Sequence, residues 1–138
     1  MNKMMLVFLL LPFPLLTSSS VHAQVANETP LMTKDLPDVP GKEGLIETVV
    51  LGPGEVVPSH RHNADVFAYV LEGSMITQLE VGKSQTVHAG EVFYESPTDV
   101  HIASRNASTT QPVKLLVFFV KKKGAPPTVV LGKANAAH

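Results

Sequence analysis

His60 and His62, in the stretch "PSHRHNADVFAYVLEG", are the residues of this chain best placed to do chemistry. Residues i and i+2 of an extended strand point to one face, so this spacing aims both imidazoles the same way. Two buried imidazoles must each find hydrogen-bond partners, and a metal ion satisfies both at once. Imidazole nitrogen suits zinc, copper, nickel and iron. A third histidine, His101, opens the run "VHIASRN" directly after a turn, where it can complete a three-nitrogen face. Spacing alone leaves a second reading open, a surface histidine pair hydrogen-bonded to water. His88 sits two residues before Gly90 and reads as a surface residue at a turn; His138 is the last residue.

Composition removes other chemistries. The 138 residues contain no cysteine, which excludes thiol catalysis and cysteine-ligated metal sites. The net charge is −1, which gives no reason to expect a nucleic-acid partner. The run Lys121-Lys122-Lys123 reads as a solvated strand end. No nucleophile elbow, phosphate loop or nucleotide fingerprint is present.

The elements that must position the histidines are strands. "GLIETVVLG" alternates with period two, and "VFAYVLEG", "SMITQLEVG", "EVFYE" and "VKLLVFFV" are β-branched or aromatic runs. Gly52-Pro53-Gly54, Gly73-Ser74, Gly82-Lys83, Ala89-Gly90 and Pro97-Thr98-Asp99 punctuate them as turns. Many short, evenly spaced strands predict an all-β sandwich or barrel. The organisation expected is a signal peptide over 1–23, an extended arm over 24–43, a β-barrel domain over 44–124 and a tail over 125–138 with a short edge strand. The arm's polar character and its prolines Pro30, Pro37 and Pro40 disfavour helix; it is expected to lie on the domain or on a neighbouring subunit. The signal peptide is read from Lys3, the apolar stretch Met4 to Leu16, and the small-x-small pattern Val21-His22-Ala23. Cleavage after Ala23 would leave Gln24 first and place the protein in the periplasm or outside the cell. The apolar stretch is too short to span a bilayer, so no membrane span is expected after its removal.

Residues 54–73, "GEVVPSHRHNADVFAYVLEG", resemble the first motif of the cupins. That motif runs glycine, five residues, His-x-His, three or four residues, glutamate, six residues, glycine. Gly54, His60, His62 and Gly73 fall on its positions. Residues 90–106, "GEVFYESPTDVHIASRN", resemble the second motif through Gly90 and His101. There Ser96 stands in the proline slot, Thr98 in the glycine slot and Arg105 in the asparagine slot, with Asn106 one place later. The resemblance implies a double-stranded β-helix, or jelly-roll barrel, with ligands inside its mouth, a divalent metal (Fe, Mn, Ni, Cu or Zn) held by His60, His62 and His101, and a homodimer.

The departure from the motif is Val66, which fills the slot of the family's fourth ligand, a glutamate. Period two sends the adjacent Asp65 to the opposite face, unless a local bulge turns it inward to take the glutamate's place. The expected site is therefore a three-histidine centre beside an apolar wall of Val66, Ala68 and Val70. Phe67 and Tyr69 share the opposite parity, suited to a dimer contact. Tyr94 and Glu95 face opposite ways, so at most one reaches the pocket, and both read primarily as structural. The function expected is a dioxygenase-like, metal-dependent enzyme acting on a small organic anion. Two alternatives stand beside it: a non-catalytic cupin that binds or senses a small molecule, and a metal-dependent isomerase or decarboxylase.

Overall fold

The computed structural model describes residues 27–132. The segment read as a signal peptide, its cleavage point, Gln24 and His138 lie outside the described residues. Among the described residues there are eleven strands and no helix, so none holds a helix long and apolar enough to cross a membrane. The strands are β1 (Asn27–Asp35), β2 (Lys42–Leu51), β3 (Val56–Val57), β4 (His60–His62), β5 (Ala64–Glu72), β6 (Ser74–Leu79), β7 (Gln85–His88), β8 (Val92–Glu95), β9 (Val100–Asn106), β10 (Val113–Lys122) and β11 (Thr128–Val130).

They form two antiparallel sheets. One runs β1-β2-β10-β5-β8; the other runs β11-β4-β9-β6-β7, with β3 paired to β9. This is the all-β double-stranded β-helix, or jelly roll, that the turn spacing and the cupin resemblance implied. Sequence period two translates directly into its core. On β5, Ala64, Val66, Ala68 and Val70 are buried; on β10, Val113, Leu115, Val117 and Phe119 are buried. Register places Phe119 opposite Val66 on one side and Leu45 on the other. Complete burial of side chains of this size stabilises the fold by about 2–3 kcal/mol each.

The inward row of β10 ends in a charge. Lys121 stands opposite Glu43 of β2, and the two form a buried ion pair. Lys121 Nζ also donates to the carbonyl of Ala125 at 2.7 Å, and the amide of Gly124 donates to Glu43 at 3.2 Å. Those extra bonds satisfy a pair that would otherwise be costly to desolvate, and they fix the direction in which the tail leaves.

The segment read as an arm forms the nine-residue strand β1, which pairs with β2 of its own chain, and β2 begins at Lys42. The tail returns as β11, which places Thr128 opposite His62. At the other end, Gly73 takes a φ of +76° in the β5–β6 turn. A Cβ there would lie 2.7 Å from the carbonyl oxygen of Pro112, so the motif glycine is required by both backbone and space.

Candidate metal centre

One run of parity carries the histidines inward. His60, His62, Ala64, Val66, Ala68 and Val70 are all buried, although the chain passes from one sheet to the other at Asn63, between β4 and β5. His101 reaches the same interior from β9. It lies directly opposite His60, and the two rings stack with centroids 4.9 Å apart. His62 meets His60 edge-on at 5.0 Å and packs against Phe119 at 5.6 Å.

The carboxylate of this centre is Glu95. On β8, Glu95 is buried while Tyr94 is 52% exposed. Its oxygens face two imidazoles: His62 Nε2 lies 3.0 Å from Oε2, and His101 Nε2 lies 3.3 Å from Oε1. Of the Tyr94–Glu95 pair, it is Glu95 that reaches the interior, as strand alternation allows for only one of them. The signal that finds it is cross-strand register, because Glu95 stands opposite Val66 and Tyr94 opposite Phe67. Directly opposed residues of an antiparallel pair share a face, so the inward valine brings an inward glutamate. Asp65 is on the outer face, where its carboxylate accepts a hydrogen bond from the Tyr94 hydroxyl at 2.7 Å.

Each imidazole has an oxygen partner at Nδ1. His60 Nδ1 donates to the Pro58 carbonyl at 2.8 Å. His62 Nδ1 pairs with Thr128 Oγ1 at 3.1 Å, and His101 Nδ1 with Thr77 Oγ1 at 3.2 Å. Such contacts orient a ring and leave Nε2 as the nitrogen available to a metal. His101 Nε2 is buried with no hydrogen-bond partner, because its approach to Glu95 is off-line for one. His62, Glu95 and His101 each offer a ligand atom within 4.8 Å of the others. Their donor set, two imidazoles and a carboxylate, fits a divalent ion. His60 stands beside this tight group rather than in it, which departs from the three-histidine set.

The electrostatics match. Burial pushes the His60 imidazole down to about 4, helped by the neighbouring His62 and His101 and opposed by the Pro58 carbonyl. Burial lowers His101 as well, against the pull of Glu95. Burial acts to raise the Glu95 carboxyl, but the hydrogen bond from His62 and the neighbouring imidazoles outweigh it and hold it below its ordinary value. Neutral imidazole and ionised carboxylate are the forms that ligate metal.

The centre opens into a cavity between the sheets. Val66 and Ala68 line it with Val49, Leu51, Val57, Leu115, Val117 and Phe119. Val70 is fully buried but does not line the cavity. Its polar lining includes His60, His62, Glu95, Ser104, Thr128, Glu28 and Glu47. The two latter acids, on β1 and β2, lie outside both cupin motifs. His88 is exposed, with Ser74 Oγ at 2.9 Å from its ring.

No curated protein matches the sequence significantly. Among solved structures, a cupin-like protein from Thermotoga maritima superposes with a TM-score of 0.60 at 19% identity, covering 79% of this chain and 77% of that one. A recombinant oxalate oxidase in complex with glycolate gives 0.57 at 20% identity, covering 78% and 57%. A DMSP lyase from Ruegeria pomeroyi gives 0.55 at 20% identity over 63% of this chain, and the match spans only 42% of the lyase. The cupin domain family matches residues 47–119, which takes in both histidine motifs and more than half of the sequence, so the chain belongs to the cupin family.

Proposed function

We propose that this chain is an exported cupin that binds one divalent metal ion through His62, His101 and Glu95, with His60 as the adjoining fourth donor, and acts on a small organic anion as an oxygenase. The observation that carries this reading is the convergence of two Nε2 atoms on one buried carboxylate, with every Nδ1 already engaged. When bound, the ion would supply Lewis acidity and a template for the substrate. The protein's own contribution is orientation and dryness. Pro58, Thr77 and Thr128 hold the rings, and Val66 and Phe119 keep water from the site. The fold hosts proteins named as an oxalate oxidase and a DMSP lyase, which sets small-molecule chemistry as the class to test.

The ion itself is drawn from iron, manganese, nickel, copper and zinc, all compatible with imidazole and carboxylate donors. Metal analysis of purified protein should find about one ion per chain, and oxygen uptake should appear with a small carboxylate substrate. Protein that stays metal-free after dialysis against each of the five ions would overturn the reading. A second reading, a cupin that binds a small molecule without turnover, is favoured by the apolar wall and by the lack of lysine, arginine or tyrosine lining the main cavity among the described residues. Tight ligand binding by metal-loaded protein with no product formed would select it. Export is tested by N-terminal sequencing of protein recovered outside the cytoplasm, which should begin at Gln24; an intact Met1 in the membrane fraction would reject it.

A further inference from the structure

We propose that Glu47, with Glu28 beside it, is the specificity element of the cavity and receives a cationic ammonium group of the substrate, whose anionic end faces the metal centre. Register places Glu28 opposite Val49, and Pro30 opposite Glu47, so the two acids are diagonal neighbours on the inward face of the β1–β2 ladder. Both line the main cavity. Glu47 is 3% exposed, and none of the hydrogen bonds or ion pairs of the described side chains involves it. Its carboxylate opens on the cavity, where a ligand can reach it. Burial and the charge of Glu28 push its carboxyl up to about 7, against the pull of His62. Glu47 therefore has no positive partner among the described residues, and the more exposed Glu28 stands beside it.

An independent observation marks the same cavity as a ligand site. Ser104 Oγ, on the opposite sheet, lines it with 2% exposure and no hydrogen-bond partner. It faces inward because of a bulge. β9 carries one residue more than β6 between Ala103 and His101, so His101 and Ser104 turn to one side despite their odd spacing. The charge balance then selects the ligand. No lysine or arginine lines this cavity among the described residues. With Glu95 committed to a divalent ion, the acids left in the cavity lining among the described residues are Glu28 and Glu47 at the β1–β2 side, and an ammonium beside them would favour the ionised carboxylate over the protonated form that burial promotes in Glu47. A dicarboxylate would meet repulsion there, whereas an ammonium would meet two acceptors. The substrate class is thus a short amino-carboxylate with an apolar middle.

This inference rests on the metal-centre reading for the anionic end, but not for the cationic end. The test is calorimetric titration of the zinc-loaded protein with 4-aminobutyrate, butyrate and succinate, and thermal shift of the metal-free protein with n-butylamine. One ion pair is worth about tenfold in affinity, so 4-aminobutyrate should bind about tenfold tighter than butyrate, and succinate weakest. Glu47→Gln should remove that preference while metal content stays unchanged. Glu28→Gln, at a more accessible position, should weaken it about threefold, on the scale of 1.4 kcal/mol per tenfold, and serves if the Glu47 variant fails to fold. Equal binding of 4-aminobutyrate and succinate, or a preference that survives Glu47→Gln, would overturn the proposal. If no metal binds but n-butylamine still stabilises the protein in a Glu47-dependent way, the metal reading fails and this one stands.

Discussion

Val66 on β5 and Glu95 on β8 stand directly opposite each other. The position at which cupins usually carry a carboxylate is apolar here, and the carboxylate enters the interior from the next strand. It meets His62 and His101 there at 3.0 and 3.3 Å. The interior carboxylate beside the histidines thus comes from β8 and not from the motif position on β5.

Glu95→Gln should lower the affinity for zinc at least about tenfold, in line with loss of a charged ligand or its immediate support. His62→Ala and His101→Ala should strip the metal from purified protein. Asp65→Ala should leave metal content unchanged, because that side chain is held outside by Tyr94. Elemental analysis of the four variants decides the ligand set, and metal loss in Asp65→Ala alone would reject it.

Val66→Glu should not improve the site. It would set a second carboxylate against Glu95 in the same interior, where like charges repel and neither is well solvated. The metal-free variant should be destabilised by about 2–4 kcal/mol, the range for a poorly paired buried charge. Urea unfolding measures this, and an unchanged midpoint would show that the two side chains do not share space.

Glu47 makes stability depend on pH. Its folded-state value, about 7, lies above the ordinary 4.5, so the folded protein holds this proton more tightly than the unfolded chain. The stabilisation is complete below pH 4.5 and is lost as pH rises through 7. Glu47→Gln removes that slope. Compared with the unaltered metal-free protein, it should gain in relative stability between pH 4.5 and pH 8, because the unaltered protein must give up there a proton that it holds more tightly when folded. Unfolding curves at several pH values test this; parallel pH profiles would contradict it.

A homodimer is proposed through the outer face of β5 and β8. Phe67 and Tyr94 lie there with rings 5.2 Å apart and exposures of 51% and 52%, and Tyr69 and Val92 extend the patch at the sheet edge. Clustered exposed aromatics of this kind mark association surfaces. Light scattering should give twice the chain mass, and Phe67→Glu should give a monomer with unchanged metal content. A monomeric unaltered protein would exclude this face as a dimer contact.

The sequence by itself determined the all-β class, the two motif histidines on one face, and the inward Val66 and Ala68. It could do so because strand parity and turn residues are local properties: His60 and His62 share a face whatever lies beside them. Gly73 was readable for the same reason, since a turn with positive φ names its residue. Only tertiary structure decided the rest. Glu95 became the carboxylate through its pairing with Val66, 29 positions earlier in the chain. Thr128 and Thr77 became ring partners through strands distant in sequence. His101 and Ser104 came to share a face through a bulge. Glu28 and Glu47 became neighbours through the register of β1 on β2. Each of these depends on which strands pair and in what register, and a one-residue slip in pairing would turn every such side chain to the other face.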